Sequence, residues 1–196
     1  MRFVLALLVA GLAHAAEAPK YYDLAVKADL AGDFAEAERN YERALAEYLE
    51  GTSDAAVSLA MYGAGRVKAY QCKFEEAEPL LLGSLRLVDA EPVSDDRAVT
   101  SRLFELARFY YERGMYAQSV PYYSRGIPIL MKGGIEAVDP IGLAEALEEV
   151  SIAFAKSGQP SEAKVPKLRA DEIRSRNAGR KARFTPVRFG ARCRSK

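Results

Sequence analysis

The side chains that carry most protein chemistry are scarce in this sequence. His14 is its only histidine, and its two cysteines, Cys72 and Cys193, stand far apart. Imidazole is the usual base near neutral pH and the commonest metal ligand, and two cysteines without histidine make no plausible zinc site. Adjacent acids such as Glu75/Glu76, Asp95/Asp96 and Glu148/Glu149 are plentiful. A glycosidase can work with two carboxylates alone, but nothing singles out one pair, and neighbouring charges on helices normally make solvated faces. No Gly-rich phosphate loop after a strand, no Gly-x-Ser-x-Gly and no His-Glu-x-x-His occurs. The expectation is a protein that is not an enzyme and uses no cofactor or metal.

Charge is the second chemical resource, and it is unevenly placed. The 196 residues carry 28 Lys/Arg and 27 Asp/Glu, a net +1. Residues 161–196 hold 12 of the basic residues and three acids (Glu162, Asp171, Glu172), and no acid follows Arg176. An acidic body therefore precedes a basic end. With 49% hydrophobic residues the chain is long enough for a buried core and is not of a disordered class.

The N-terminus reads as a targeting segment. Met1 and Arg2 precede an apolar run from Phe3 to Ala13, then Ala13-His14-Ala15. A basic start, a short apolar run and a small-x-small site predict a secretory signal peptide over 1–15, cut after Ala15. Glu17 and Lys20 come too early for a spanning helix. The expected location is outside the cytoplasm, in a bacterial periplasm first and secreted medium second. The mature chain would then keep no histidine. Export permits disulfides, so Cys72 and Cys193 either bridge or stand as two thiols. So sparse a pair favours two thiols.

The elements that position everything else come from a repeat. Four segments share one pattern: Gly32-Asp33-Phe34-Ala35-Glu36-Ala37, Cys72-Lys73-Phe74-Glu75-Glu76-Ala77, Gly114-Met115-Tyr116-Ala117-Gln118-Ser119 and Gly158-Gln159-Pro160-Ser161-Glu162-Ala163. Their third positions are 34, 74, 116 and 160, at intervals of 40, 42 and 44. Each reads as a tight turn followed by a helix, with helical periodicity on both sides. Aligned on the turn, three columns hold only Ala, Gly or Ser: Ala25, Gly65, Ala107 and Ser151; Ala37, Ala77, Ser119 and Ala163; Ala44, Ser84, Gly126 and Ala170. Such columns let antiparallel helices approach to about 8–10 Å. Large residues fill the columns between them: Tyr21, Met61, Leu103 and Leu147, then Leu24, Ala64, Leu106 and Val150. In repeat three, Gly126 and Pro128 predict a shortened or kinked second helix, Gly133-Gly134 a loop, and Asp139-Pro140 a helix start. Lys167 and Asp171 mark the last helix as a polar cap.

This pattern resembles the tetratricopeptide repeat, in the long-helix variety of kinesin light chains and many bacterial proteins; Glu75-Glu76-Ala77-Glu78-Pro79-Leu80 carries the likeness most closely, with Pro121 and Pro166 at matching points. The resemblance implies an all-α, right-handed superhelical solenoid of about four antiparallel helix pairs. The expected repeats lie at about 18–53, 54–93, 94–138 and 139–178, within a repeat domain over 16–178, followed by a flexible basic tail over 179–196.

Tetratricopeptide proteins commonly hold a peptide or helix in a concave groove. Carrying the groove columns onto this chain gives Tyr22 and Val26, then Tyr62, Arg66 and Tyr70, then Phe104, Arg108 and Tyr111, then Glu148 and Ile152. Tyr62/Arg66 and Phe104/Arg108 place an aromatic and an arginine on one helical face, and stacking would align the two arginines. They suit a partner carboxylate, unless they pair with internal acids such as Glu105. They do not reproduce the lysine–asparagine carboxylate clamp of chaperone-binding members, so that ligand does not transfer. In the tail, Arg180, Lys181, Arg183, Arg188, Arg192 and Arg194 suit an acidic surface. Contact with the acidic repeats or another protein comes first, an anionic membrane surface second and nucleic acid last. The leading expectation is an exported adaptor that binds a protein or peptide. The alternative is a peripheral envelope protein held by its tail.

Overall fold

A computed structural model describes residues 20–48, 52–92, 95–184, 186 and 188–193. The expected leader over 1–15 and tail residue Arg194 lie outside the described residues. The helices are α1 (20–30), α2 (Phe34–Glu47), α3 (Asp54–Tyr70), α4 (Phe74–Ala90), α5 (Asp96–Glu112), α6 (Tyr116–Lys132), α7 (Ile135–Val138), α8 (Pro140–Lys156), α9 (Pro160–Arg176) and α10 (Gly190–Cys193). No strand occurs among the described residues. Two compact units divide the chain, the first holding α1 to α4 and the second α5 to α10.

The four predicted turns share one backbone geometry. Gly32, Gly114 and Gly158 adopt φ of 75°, 75° and 83°, and Cys72 takes the same left-handed form at 66°. In each, the following N–H reaches back five residues, as from Asp33 to Ala28 and from Lys73 to Lys68. This Schellman geometry satisfies the carbonyls at the end of one helix while reversing the chain into the next. The first helices of repeats two, three and four start on side-chain caps, with Ser53, Asp95 and Asp139 accepting from Ala56, Arg97 and Gly142.

Burial follows the small-residue columns. All twelve positions are buried. A Cβ on Gly65 would lie 2.8 Å from Leu81, and one on Gly126 would lie 2.8 Å from the Phe104 ring. Ser84 donates to the Ser58 carbonyl at 2.8 Å, and Ser151 to the Ala163 carbonyl at 2.9 Å. Leu24 departs from its column, being 43% exposed. Helix α6 is not shortened: it runs 17 residues through Gly126 and Pro128, as long as its counterparts α4 and α9. Packing on Phe104 and Leu103 needs the missing side chain of Gly126, and this outweighs its poor helix propensity.

In the first unit, Ala25, Ala37, Tyr41, Ala64 and Val67 form the core. Tyr41 presses on Gly63, where a Cβ would fall 2.2 Å from the ring. Beside it lies a buried ionic knot. Lys68 Nζ donates to Glu38 (2.6 Å), Glu42 (2.8 Å) and Glu76 (2.8 Å), while Lys73 and Gln71 also donate to Glu38. Burial pushes the Glu38 carboxyl up, but the hydrogen bonds from Lys68, Lys73 and Gln71 outweigh it and bring the pKa down to about 2.

In the second unit, Phe104, Ala107, Tyr123, Leu143, Leu147, Ala170 and Ile173 belong to one core. Helix α8 packs on α6 and α9. The polar cap expected of α9 is mixed, because Val165 and Leu168 are exposed alongside Lys167 and Asp171. Neither cysteine is a thiol: both are disulfide-bonded, against the expectation of two unpaired ones.

Candidate functional site

Arg66 sits on α3 one turn from Tyr62 and one from Tyr70, so i,i+4 spacing places an aromatic ring on each side of it. Its guanidinium lies 5.4 Å from the Tyr62 ring centre and 5.5 Å from that of Tyr70. It donates to the Tyr70 hydroxyl and pairs with Asp29, each at 3.3 Å. Burial raises the Asp29 pKa, and the charge of Arg66 only partly offsets it. Tyr22 packs edge-on against Tyr41 at 5.9 Å. The first unit therefore assembles Tyr62, Arg66 and Tyr70 around an internal acid. That acid is Asp29.

The second unit repeats the arrangement on α5. Arg108 lies over the Phe104 ring at 5.8 Å, and its Nε stands 3.8 Å from Glu149 of α8. That Nε is buried and makes no hydrogen bond among the described residues. Tyr111 packs on Tyr116 and Tyr123, and the Tyr123 hydroxyl donates to Glu149. Burial and the neighbouring Glu149 charge push the Tyr123 phenol well above its ordinary range.

Here the basic end enters. The flexible tail expected over 179–196 is, over its described residues, a strap laid on α5 and α8. Asp139, the N-cap of α8, also accepts the backbone N–H groups of Arg183 and Phe184, each at 3.0 Å. Burial raises the Asp139 carboxyl, but those two N–H groups and that of Gly142 outweigh it and lower its pKa. Farther along α8, Arg188 donates to Glu149. Glu112, at the end of α5, accepts the N–H groups of Phe189 (2.9 Å) and Gly190 (2.7 Å). The Phe189 ring is 1% exposed and lies 6.3 Å from that of Phe109. A Cβ on Gly190 would come within 3.1 Å of Glu112, so the close approach suits a glycine.

Arg180 and Lys181 are exposed, and Arg183 lies over the Phe184 ring at 5.4 Å. Arg192 falls within α10. Glu148 holds Arg174 through two hydrogen bonds of 2.7 Å.

Beside the strap, a cavity of about 620 Å³ opens in the second unit. Phe104, Ile129, Leu130, Ile135, Val138, Leu143 and Ala146 make its apolar wall, Phe184 reaches its edge, and Asp95 and Asp96 stand at its rim.

Of the groove residues named from the sequence, Tyr62, Arg66 and Tyr70 form one cluster and Phe104 and Arg108 another, each built round an arginine that already faces an acid, while Glu148 pairs with Arg174 and Ile152 is exposed. Glu112, Glu149 and Asp139 were missed as the groups that receive the strap. The signal available for them was charge complementarity: an acid-free basic end must find acids, and Glu149 is the direct neighbour of Glu148, a groove residue read from the sequence. The helices α5 and α8 hold these acids where the chain's own Arg188, Phe189 and Gly190 reach them.

No family model matches the chain, and no curated protein matches it. Among solved structures, MamA superposes with a TM-score of 0.46 at 18% identity, over 86% of this chain and 98% of that one. BtubC (BKLC) from P. vanneervenii superposes with a TM-score of 0.71 at 20% identity, over 87% of this chain and 68% of that one. The likeness to BtubC shows the fold: the chain is an all-α, TPR-like helical repeat.

Proposed function

We propose that the chain is an exported, non-enzymatic protein-interaction module whose second unit captures an extended basic–aromatic segment of a partner along α5 and α8. One observation carries the reading: the chain's own Arg188-Phe189-Gly190 occupies that position, with its charge on Glu149, its ring buried and two backbone N–H groups on Glu112. Directional backbone hydrogen bonds beside a seated aromatic are the features of a peptide site. The partner chemistry is cationic, the reverse of the carboxylate expected for Arg108, because Arg108 already faces Glu149. The leader pattern over 1–15 and two disulfide-bonded cysteines support an oxidising location outside the cytoplasm.

The test uses a fluorescent peptide of residues 182–190, Ala-Arg-Phe-Thr-Pro-Val-Arg-Phe-Gly. Full-length protein with Arg188→Ala and Phe189→Ala should bind it at least about tenfold more tightly than the wild type, whose strap competes. Adding Glu149→Gln should abolish the binding. Equal binding to all three proteins, or none to the double variant, overturns the reading.

A second reading has its own observation. Arg180, Lys181 and Arg183 are exposed beside Phe184, itself 62% exposed, which suits an anionic lipid surface. Phosphatidylglycerol vesicles should then bind the wild type in a salt-sensitive way and release a triple Ala variant at those cations. Equal binding by both proteins removes it.

A further inference from the structure

The strap seats one of its two aromatic rings and leaves the other outside. Phe189 is 1% exposed, whereas Phe184 is 62% exposed at the edge of the 620 Å³ cavity. Arg183 and Phe184 are pinned there by their backbone N–H groups on Asp139, so a segment following this path must present a side chain at the opening. Resting on the groove reading above, we infer that this cavity is the specificity pocket of the site. It takes a large apolar side chain from the partner, four residues before the arginine that pairs with Glu149. The chain's own strap is a placeholder that leaves the pocket unfilled.

Three observations point to an apolar side chain on a basic segment. The wall is carried by seven apolar side chains from α5, α6, α7 and α8, Val138 of α7 among them, and the volume lies in the range of ligand pockets. Several polar groups of the lining are already engaged: Thr100 donates to the Asp96 carbonyl, Ser101 to the Ala98 carbonyl at 2.8 Å, and both Asp139 oxygens accept backbone N–H groups, while Arg108 lies over the Phe104 ring. A polar occupant would lose its own hydration there for little return. Asp95, Asp96 and Asp139 outnumber Arg97 and Arg108 around the cavity, and this excess of acid favours a segment with positive charge beside its apolar anchor, as Arg183 stands beside Phe184.

The experiment varies the peptide Ala-Arg-X-Thr-Pro-Val-Arg-Phe-Gly with X as Ala, Phe, Trp or 4-biphenylalanine, titrated into the full-length Arg188→Ala/Phe189→Ala protein. Affinity should rise through the series, by about tenfold or more from Ala to biphenylalanine, since each buried methylene adds about 0.8 kcal/mol. Filling the pocket with Ala146→Trp should level the series, and Ile135→Trp in the short helix α7 provides a second blocking variant away from the core. A flat series with every peptide bound overturns the pocket and leaves the groove reading intact. Binding of none of the peptides overturns the groove reading itself. A graded series that neither blocking variant levels places the anchor elsewhere and also overturns the pocket.

Discussion

Arg188 and Glu149 meet 39 positions apart in the chain, and the carboxylate that receives the arginine also accepts the Tyr123 hydroxyl. One acid thus ties the basic end to the core of the second unit. Burial presses the Arg188 pKa down, but the adjacent Glu149 raises it overall, so the guanidinium stays charged at any working pH. Arg188→Ala should free the strap while leaving α5 to α9 folded. A charge-assisted hydrogen bond contributes about 1.5–3 kcal/mol, so trypsin cleavage at Lys181 and Arg183 should quicken by roughly tenfold or more, with unchanged helical circular dichroism.

The ionic knot in the first unit gives a stability prediction. Lys68 is buried and donates to Glu38, Glu42 and Glu76. Removing one partner of a buried pair costs about 3–5 kcal/mol. Since Lys73 still reaches Glu38, Lys68→Ala should fall near the lower end, about 3 kcal/mol, by urea unfolding.

The same knot sets an acid limit. The Glu38 pKa falls from its ordinary 4.5 to about 2 on folding, so its contribution is complete above about pH 4.5 and is lost as pH falls toward 2. Across that window the wild type should lose more stability than Glu38→Gln. Urea midpoints at several pH values would show the two curves converging at low pH. Parallel curves would contradict the assignment.

Gly63 and Tyr41 should behave as a coupled pair. A Cβ at position 63 would meet the ring at 2.2 Å, so Gly63→Ala is expected to cost roughly 1–3 kcal/mol through overpacking. Tyr41→Leu should recover much of that loss, giving a coupling energy in a double-mutant cycle well outside additivity.

Cys72 occupies a left-handed position where three other repeats have glycine. Cys72→Gly and Cys72→Ala both lack the disulfide, so their comparison isolates the backbone: the glycine variant should be more stable by about 1 kcal/mol, the cost of a Cβ in that region. Thiol titration of the oxidised, denatured wild type should find no reactive cysteine until reductant is added.

Much of the fold was legible because helix packing at close range tolerates few residue types. The columns of Ala25, Ala37 and Ala44 and their equivalents are buried as read. Leu24 did not follow its column, since a knob is buried only where something covers it. The length of α6 was misjudged because local propensity at Gly126 gave way to the packing of Phe104. At the site, aromatic–arginine spacing anticipated that Arg66 would meet Tyr62 on α3 and Arg108 would meet Phe104 on α5. It could not say that Asp29 and Glu149 would face them, because those partners lie 37 and 41 positions away in the chain and only the folded helices bring them close. Nor did composition distinguish a loose basic end from a docked one, since the decisive contacts are backbone N–H groups, which every residue but proline carries.

A competitor that shares a polypeptide with its receptor is never diluted. Tethering holds such a segment at an effective concentration in the millimolar range, whatever the amount of protein present. On the function proposed above, any incoming ligand must therefore beat a fixed opponent, and its threshold for entry is set by the segment that joins α9 to Arg188.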